Sequence, residues 1–514
     1  MNLFKRWISS PQPALNGMRL GPEEHEDTNP LMLQFFTWDT KHPTLSWWKH
    51  FEEEIPRLAA MGFTQVWLPP PNKAADRDGR GYDAYDLWDL GEFDQKGSIP
   101  TRWGSRSEFL SACKVAKEHN VDILIDAVLN HKLGGDRCEA FNAVPVNSQN
   151  RLKVDGKPRQ IEGWTAFDFP GRNGKYSAFR WNQSHFTALD WDHKTQTKAI
   201  YRIEGPGHKG WSKNVDKELG NYDYLLGIDI DHRHPAVQED LKNWGSWILD
   251  TSGAVGFRID AIKHIDHKFL VNWISQLRRT PNRSKMFAVA EYWSGDVSLI
   301  LPYVKAFKGQ AAFFDVPLHM NLHNASKHYS RYDLRTVMNL SLAKLRPRDA
   351  VTFVDNHDTV EGQSLESWVG SHFKTQAYAL ILLRPEGYPC VFYGDLYPNS
   401  ECSPDDITRS NLEKLINARK MYAYGPLTDY PHDKNCVGFV RAGNEKHCGC
   451  AVILSNREDH DDNFVHSIRM NVGSHHAGCS FKSILSDGGH VEIDKEGWGV
   501  FTCFPNSASV WVRE

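Results

Sequence analysis

Gly256-Phe257-Arg258-Ile259-Asp260-Ala261-Ile262-Lys263-His264 gathers cations, a carboxylate and an imidazole behind an apolar lead-in, Ala254-Val255. Ala254–Asp260 reads as a short buried strand, with His264 in the loop beyond it. Side chains alternate along a strand, so Arg258 and Asp260 share one face and Phe257 and Ile259 the other. A buried carboxylate is costly unless a cation lies close, and Arg258 supplies one. That keeps Asp260 ionised, which suits a nucleophile. A purely structural Arg–Asp ion pair is the competing reading of this stretch alone. Three further segments carry Asp126, Asn130 and His131; Glu291; and Asn356, His357 and Asp358. Several carboxylates converging from separate strands can do what glycoside hydrolysis requires. One attacks, one donates a proton, and a third steadies positive charge on the sugar. A proton donor needs a raised pKa, and Glu291 would acquire it from partial burial and from the neighbouring anions Asp260 and Asp358.

These residues sit at the ends of apolar runs, and the runs alternate with helical patterns. Leu31–Phe36, Phe63–Leu68, Val121–Val128, Ala254–Asp260, Met286–Glu291, Ala311–Val316, Val351–Asp355 and Cys390–Tyr393 read as eight strands. Helices are predicted at Trp47–Met61, Ser105–Asn120 (opened by a capping box of Ser105 and Glu108), Ala236–Leu249, His267–Arg279 and Glu366–Leu383. Pro56 marks a kink or restart in the first of these, and Gly62 closes it. Eight strands alternating with helices predict an α/β fold, a closed parallel (β/α)8 TIM barrel. Its parts are residues 1–131 and 228–423. The Gly-, Asn-, Trp- and Asp-rich stretch 132–227, too long for a loop, is expected to be a small domain inserted after the third strand. From 424 to 514 short β-type runs predict a C-terminal antiparallel β domain. In such a barrel the C-terminal strand ends line the active site, and there the candidate residues fall.

Across 514 residues, a net charge of −4 argues against nucleic-acid or anionic-membrane partners. No apolar run is long enough to span a bilayer. Met1–Ile8 is basic but has no apolar stretch behind it, so no secretory signal is expected. Nine cysteines lie scattered without metal-site spacing, which fits a reducing cytoplasm. The 18 tryptophans tilt the reading toward carbohydrate, since aromatic faces stack on sugars, although Trp also fills cores.

Asp126–His131, Gly256–His264, Glu291-Tyr292-Trp293 and Phe353–Asp358, in this order, resemble the four signature segments of the α-amylase family of glycoside hydrolases. Gly62–Pro70, Gly81–Gly97, Asn221–Pro235 and Gly362–Tyr393 extend the likeness to the bacterial liquefying-type and fungal intracellular enzymes. The resemblance implies Asp260 as nucleophile, Glu291 as general acid/base and Asp358 as transition-state stabiliser. It implies that Arg258 orients the nucleophile, that His131 and His357 bind the sugar in the cleavage subsite, and that Tyr82 is the platform beneath it. Lys263 and His264 match residues on the leaving-group side. A retaining mechanism through a covalent glycosyl-enzyme follows, on an α-1,4-glucan substrate such as starch, glycogen or maltooligosaccharides.

The resemblance also implies one structural Ca2+, held by Asn130, Asp223, Asp229 and the carbonyl of His264. The acidic residues of a second metal cluster are replaced here by Thr187, Ser212 and Arg233, with Asp231 alone remaining, so no second cluster is expected. Two other readings stay open. One is an α-1,4-glucan transglycosylase, decided by acceptor-side aromatics such as Trp164, Trp181 or Trp211. The other is a non-catalytic glucan-binding protein, disfavoured because all three carboxylates are intact. The expected molecule is a cytoplasmic monomer.

Overall fold

The computed structural model describes residues 13–22, 29–458, 464–486 and 489–514; the basic segment Met1–Ile8 lies outside them. Eight strands close into a parallel barrel: β1 (Met32–Gln34), β2 (Gln65–Trp67), β3 (Asp122–Ala127), β4 (Gly256–Ile259), β5 (Phe287–Ala290), β6 (Ala312–Phe314), β7 (Ala350–Phe353) and β8 (Tyr388–Phe392). They close in sequence order, β8 pairing with β1. Every one of these strands is fully buried. Burial on both faces is why they read as continuous apolar runs rather than as alternating ones. The hydrogen-bonded strands are shorter than several of those apolar runs, because the runs continue into the loops that carry the site.

Register does the positioning. On β4, Gly256 lies beside Leu124 of β3 and Phe287 of β5, which sets Arg258 beside Asp126. A Cβ on Gly256 would stand 2.0 Å from the Phe287 carbonyl oxygen, so only glycine lets the two strands approach.

The flanking helices follow local sequence rules. Trp47–Met61 starts at Ser46, whose hydroxyl accepts the Lys49 N–H, contains Pro56, and ends at left-handed Gly62. Arg106–Glu118 opens with the full capping box of Ser105 and Glu108. The helix expected from Glu366 begins only at Ser371. Three of the five residues before it bond back to the preceding loop instead: Glu366 accepts the Gly362 N–H, Ser367 N–H donates to the Thr359 carbonyl, and Val369 N–H donates to Asp355. Among the described residues no helix is long and apolar enough to cross a membrane.

Between β3 and β4 the chain forms a six-stranded sheet. In spatial order its strands are His131–Lys132, Ile228–Ile230, Phe186–Asp192, Thr197–Glu204, Arg137–Val146 and Arg159–Ala166. Its first two strands thus reach just past both ends of the 132–227 segment. The C-terminal part is antiparallel: a six-stranded sheet runs from Leu427 to Arg513, and a two-stranded one pairs His466–Asn471 with Trp498–Cys503. Ile453, Phe481, Phe501 and Trp511 fill the space between them.

Much of the tryptophan content is core. Trp48, Trp67, Trp103, Trp244, Trp273 and Trp511 are among the largest fully buried side chains. Composition therefore says less about sugar binding than it suggested.

Candidate functional site

Asp260, Glu291 and Asp358 meet at the C-terminal mouth of the barrel, just beyond β4, β5 and β7. Their side chains are 14%, 12% and 22% exposed, enough to reach a bound molecule while losing most of their water. Arg258 lies beneath them. Its Nη1 donates to Asp260 Oδ1 at 2.6 Å and to Asp126 Oδ1 at 2.8 Å, and its Nη2 is 3.9 Å from Glu291 Oε2. Burial opposes the guanidinium charge, but Asp126 and Asp260 outweigh it and hold Arg258 well above its ordinary value.

Asp126 is the hub the sequence displayed without revealing its job. Besides Arg258 it accepts Trp67 Nε1–H at 2.9 Å and the Tyr82 hydroxyl at 2.7 Å. Burial pushes its carboxyl up to about 6, while Arg258 pulls the other way. Arg258 and Tyr82 are thus both fixed through one buried carboxylate.

Ala261, just after Asp260, has φ +48°, a left-handed conformation that costs a non-glycine residue about 1–2 kcal/mol. That turn aims its N–H at Glu291 Oε2, 2.7 Å away. Burial pushes Glu291 up to about 7; Arg258 opposes the shift and Asp260 adds to it. Burial, then the charge of Glu291, pushes Asp358 up to about 7 as well.

Three imidazoles, of His131, His264 and His357, have tautomers that follow from their partners. His131 Nε2 lies 2.8 Å from the Tyr82 carbonyl, which can only accept, so Nε2 carries the proton. His264 Nδ1 donates in the same way to the Tyr222 carbonyl at 2.7 Å. His357 Nδ1 lies 2.9 Å from Gln34 Nε2, whose amide also reaches the Phe36 carbonyl. The amide donates, so His357 Nε2–H faces Asp358 Oδ2, 3.4 Å away. Burial lowers all three histidines, keeping them neutral. Lys263, on the Ile262–His264 turn, donates to Glu218 Oε2 of the inserted segment at 2.5 Å and to the Trp293 carbonyl at 3.3 Å.

The Tyr82 ring is stacked on His357 (centroids 5.2 Å apart, 8° between planes) and on Trp38 (5.5 Å, 12°). Sequence reasoning missed Gln34 and Trp38. The one available signal was their position at and just beyond the end of β1. Of the three tryptophans considered for acceptor binding, Trp181 and Trp211 are only 4% and 7% exposed, packed into the inserted segment, and Trp164 alone is open at 41%.

A second group of residues ties that segment to the barrel. Asn130 Oδ1 and Asp229 Oδ1 are buried without a hydrogen-bond partner. Thr187 donates its hydroxyl to Asp229 Oδ2, and Ser212 N–H donates to Asp223 Oδ2 at 2.7 Å. Burial pushes Asp223 up to about 7; burial and Asp223 push Asp229 well up. An orphaned amide oxygen and an orphaned carboxylate oxygen, with the Asp223 charge acting on Asp229, form a set that a hard cation would satisfy. Among the described residues no three His, Cys, Asp or Glu side chains converge as a metal group. A cation here would therefore need amide and carbonyl oxygens too, which is the mixed donor set calcium takes. Nearby, Arg233 donates to Asp231 Oδ1 at 2.7 Å and to the carbonyls of Trp211 (3.1 Å) and Gly210 (2.5 Å).

Residues 47–420 match the family model described as alpha amylase, catalytic domain, and residues 466–512 match alpha-amylase C-terminal. The chain is 42% identical to glucan 1,4-alpha-maltohexaosidase of Bacillus sp. (strain 707), over 95% of this chain and 93% of that protein. It is 40% identical to alpha-amylase of Bacillus licheniformis (94% of each) and 38% identical to the cytoplasmic alpha-amylase of Escherichia coli (strain K12), over 95% of this chain and 99% of that one. Among solved structures, the alpha-amylase of Geobacillus thermoleovorans complexed with acarbose superposes with a TM-score of 0.62 at 17% identity, covering 95% of this chain and 98% of that one. Both domains and the length of these matches lead to one assignment: the chain belongs to the α-amylase family of glycoside hydrolases.

Proposed function

We propose that this protein is a retaining, endo-acting hydrolase of α-1,4-glucosidic bonds in starch- or glycogen-like glucans and maltooligosaccharides. The observation that carries the reading is the grouping of Asp260, Glu291 and Asp358 over one buried guanidinium at the barrel mouth. In the first step Asp260 attacks the anomeric carbon. Its Oδ1 is held by Arg258, so Oδ2 is the attacking atom. Glu291 Oε2 accepts the Ala261 N–H, so the proton resides on Oε1 and passes to the glycosidic oxygen as the bond to the leaving sugar breaks. The glycosyl-Asp260 ester is then hydrolysed by a water that gives its proton back to Glu291 and releases the carboxylate. Asp358 stabilises positive charge at the anomeric centre; over the Tyr82 face the neutral His357 donates its Nε2–H to a hydroxyl of the same sugar, and the neutral His131 lines that subsite. Lys263 and His264 line the leaving-group side.

Asn130, Asp223, Asp229 and the His264 carbonyl would hold one calcium ion, which supplies positive charge to pin the inserted segment against the barrel. A cytoplasmic location is supported by the Escherichia coli relative named cytoplasmic and by nine unpaired cysteines.

Product analysis on maltoheptaose and soluble starch, for wild type and Asp260→Asn, tests the reading. Shorter α-anomeric products from wild type alone are expected. β-Anomeric products would overturn retention, products longer than the substrate would move the answer to transglycosylation, and none at all would leave a glucan-binding protein.

A further inference from the structure

Behind the turn that carries His357 and Asp358 lies a buried ion cluster that the chemistry above does not use. Lys374, on the helix Ser371–Leu383, is 2% exposed. Its Nζ donates to Asp355 Oδ2 at 2.7 Å and to Asp395 Oδ1 at 2.5 Å, and lies 3.3 Å from the Trp368 ring centroid. Tyr378, one helical turn further on, donates its hydroxyl to the other oxygen of Asp395. With both carboxylates ionised, the cluster carries a net charge of −1 in a site closed to water; burial pushes Asp355 up to about 7 against the pull of Lys374.

From this cluster hydrogen bonds lead to the turn. Asp355 Oδ1 accepts the Thr359 hydroxyl at 2.8 Å, and Thr359 Oγ1 accepts the Asn356 N–H at 3.0 Å. Asn356 Oδ1 in turn accepts the N–H groups of Asp358 (2.8 Å) and Thr359 (3.0 Å). Asp355 also accepts the Val369 N–H at 3.3 Å, which closes the loop on its far side. A buried ion pair is rarely the most stabilising filling for such a space, since apolar residues of similar volume would avoid the desolvation. What this one does is fix a turn with two functional side chains on it.

We infer that Lys374, Asp355 and Asp395 are positioning residues for cleavage: their charge balance holds the Asn356–Thr359 turn so that His357 and Asp358 face Asp260 and Glu291. This rests on the glycosidase reading of Asp358. Without Lys374, two buried carboxylates share a site with no cation, and one must take up a proton or move. Either response at Asp355 weakens the Thr359 link.

The test measures kcat and KM on maltoheptaose, with thermal unfolding in parallel, for wild type, Lys374→Met, Lys374→Met/Asp395→Asn and Thr359→Val. Lys374→Met is expected to lose roughly 10–100-fold in kcat with KM changed less than about threefold, as a small misplacement of a catalytic group does. Adding Asp395→Asn restores the net charge of −1 and is expected to recover about fivefold or more in kcat, which a packing role would not produce. Thr359→Val, which cuts the link and leaves the charges alone, is expected to lose roughly tenfold, and it decides the matter if Lys374→Met does not fold. Wild-type kcat in Thr359→Val, or a Lys374→Met loss that Asp395→Asn leaves unchanged, would overturn the inference. An inactive wild type would instead sink the glycosidase reading.

Discussion

Nη1 of Arg258 donates to Oδ1 of Asp260 across 2.6 Å, from a guanidinium that is 1% exposed. The same nitrogen serves Asp126, and Nη2 points toward Glu291. A planar fork can do this; a lysine ammonium is a point charge on a flexible stem and cannot serve three carboxylates in fixed directions. Arg258→Lys is therefore expected to lower kcat/KM roughly 100–1000-fold, the scale seen when one preorganised charge-stabilising donor is removed. Arg258→Met leaves Asp126 buried without its cation and is expected to cost about 3–5 kcal/mol of stability as well. Steady-state kinetics and thermal unfolding of both variants separate the two effects. Wild-type kcat/KM in Arg258→Lys would contradict the orienting role.

Glu291 stands at about 7, raised by burial against the pull of Arg258. An acid must be protonated to start the reaction, so the glycosylation step weakens as pH rises through about 7. Glu291→Gln is expected to abolish that alkaline limb and to lower kcat on maltooligosaccharides roughly 100–10,000-fold, the range of general acid–base contributions. Asp358→Asn removes a like charge beside Glu291 and should move the limb of the residual activity to lower pH. The pH profile of kcat for the three proteins checks both. A limb that survives Glu291→Gln unchanged would assign it to another group.

The barrel was legible because its strands are buried on both faces and so appear as apolar runs, with the polar residues that matter placed just past their ends. Glu291 after Phe287-Ala288-Val289-Ala290 is the plainest case. What stayed hidden depends on contacts far apart in sequence. Gln34 lies inside an apolar run and acquires its task only when β1 brings it against His357, 323 residues away. Asp126 was visible as a strand-end carboxylate, yet its hold on Arg258 comes from the β3–β4 register. The late start of the Ser371 helix has the same origin. Glu366–Val369 has helix-compatible residues, but their bonds go to the Asp358 loop. Local preference lost to tertiary partners there.

Asn130 Oδ1 and Asp229 Oδ1 lack partners, and burial with the Asp223 charge pushes the Asp229 carboxyl well up. A bound calcium would satisfy both oxygens and let the carboxylates ionise. Chelation is expected to lower Tm and calcium to raise it again, the stability regained being about 2.7 kcal/mol once free calcium is a hundredfold above Kd. Asp229→Asn should cost little in chelator, because that carboxyl is already driven toward its neutral form, and should lose the response to calcium. Thermal unfolding of both proteins with EDTA and with calcium measures this. An equal calcium response in Asp229→Asn would remove Asp229 from the site.

Arg233 offers a contrasting tie, made by a charged side chain. Its guanidinium joins Asp231 to the carbonyls of Gly210 and Trp211, so one side chain ties the chain just past the inserted region to a segment within it. Charge-assisted bonds to partly buried acceptors are worth about 1.5–3 kcal/mol each at most, and part of that is lost to ordering a long side chain. Arg233→Ala is expected to lower stability by about 1–3 kcal/mol, equally in EDTA and in calcium, because the positive charge of the clamp is the guanidinium itself. Arg233→Asp should behave differently. It sets a second carboxylate beside Asp231 and removes the guanidinium from the two carbonyls, and so replaces a built-in cation by oxygen donors that need an external one. Its Tm in EDTA should fall below that of Arg233→Ala through like-charge repulsion, and calcium should raise it by more than it raises wild type. An Arg233→Asp protein no more sensitive to calcium than wild type would mean that the guanidinium fills a position where no cation can sit.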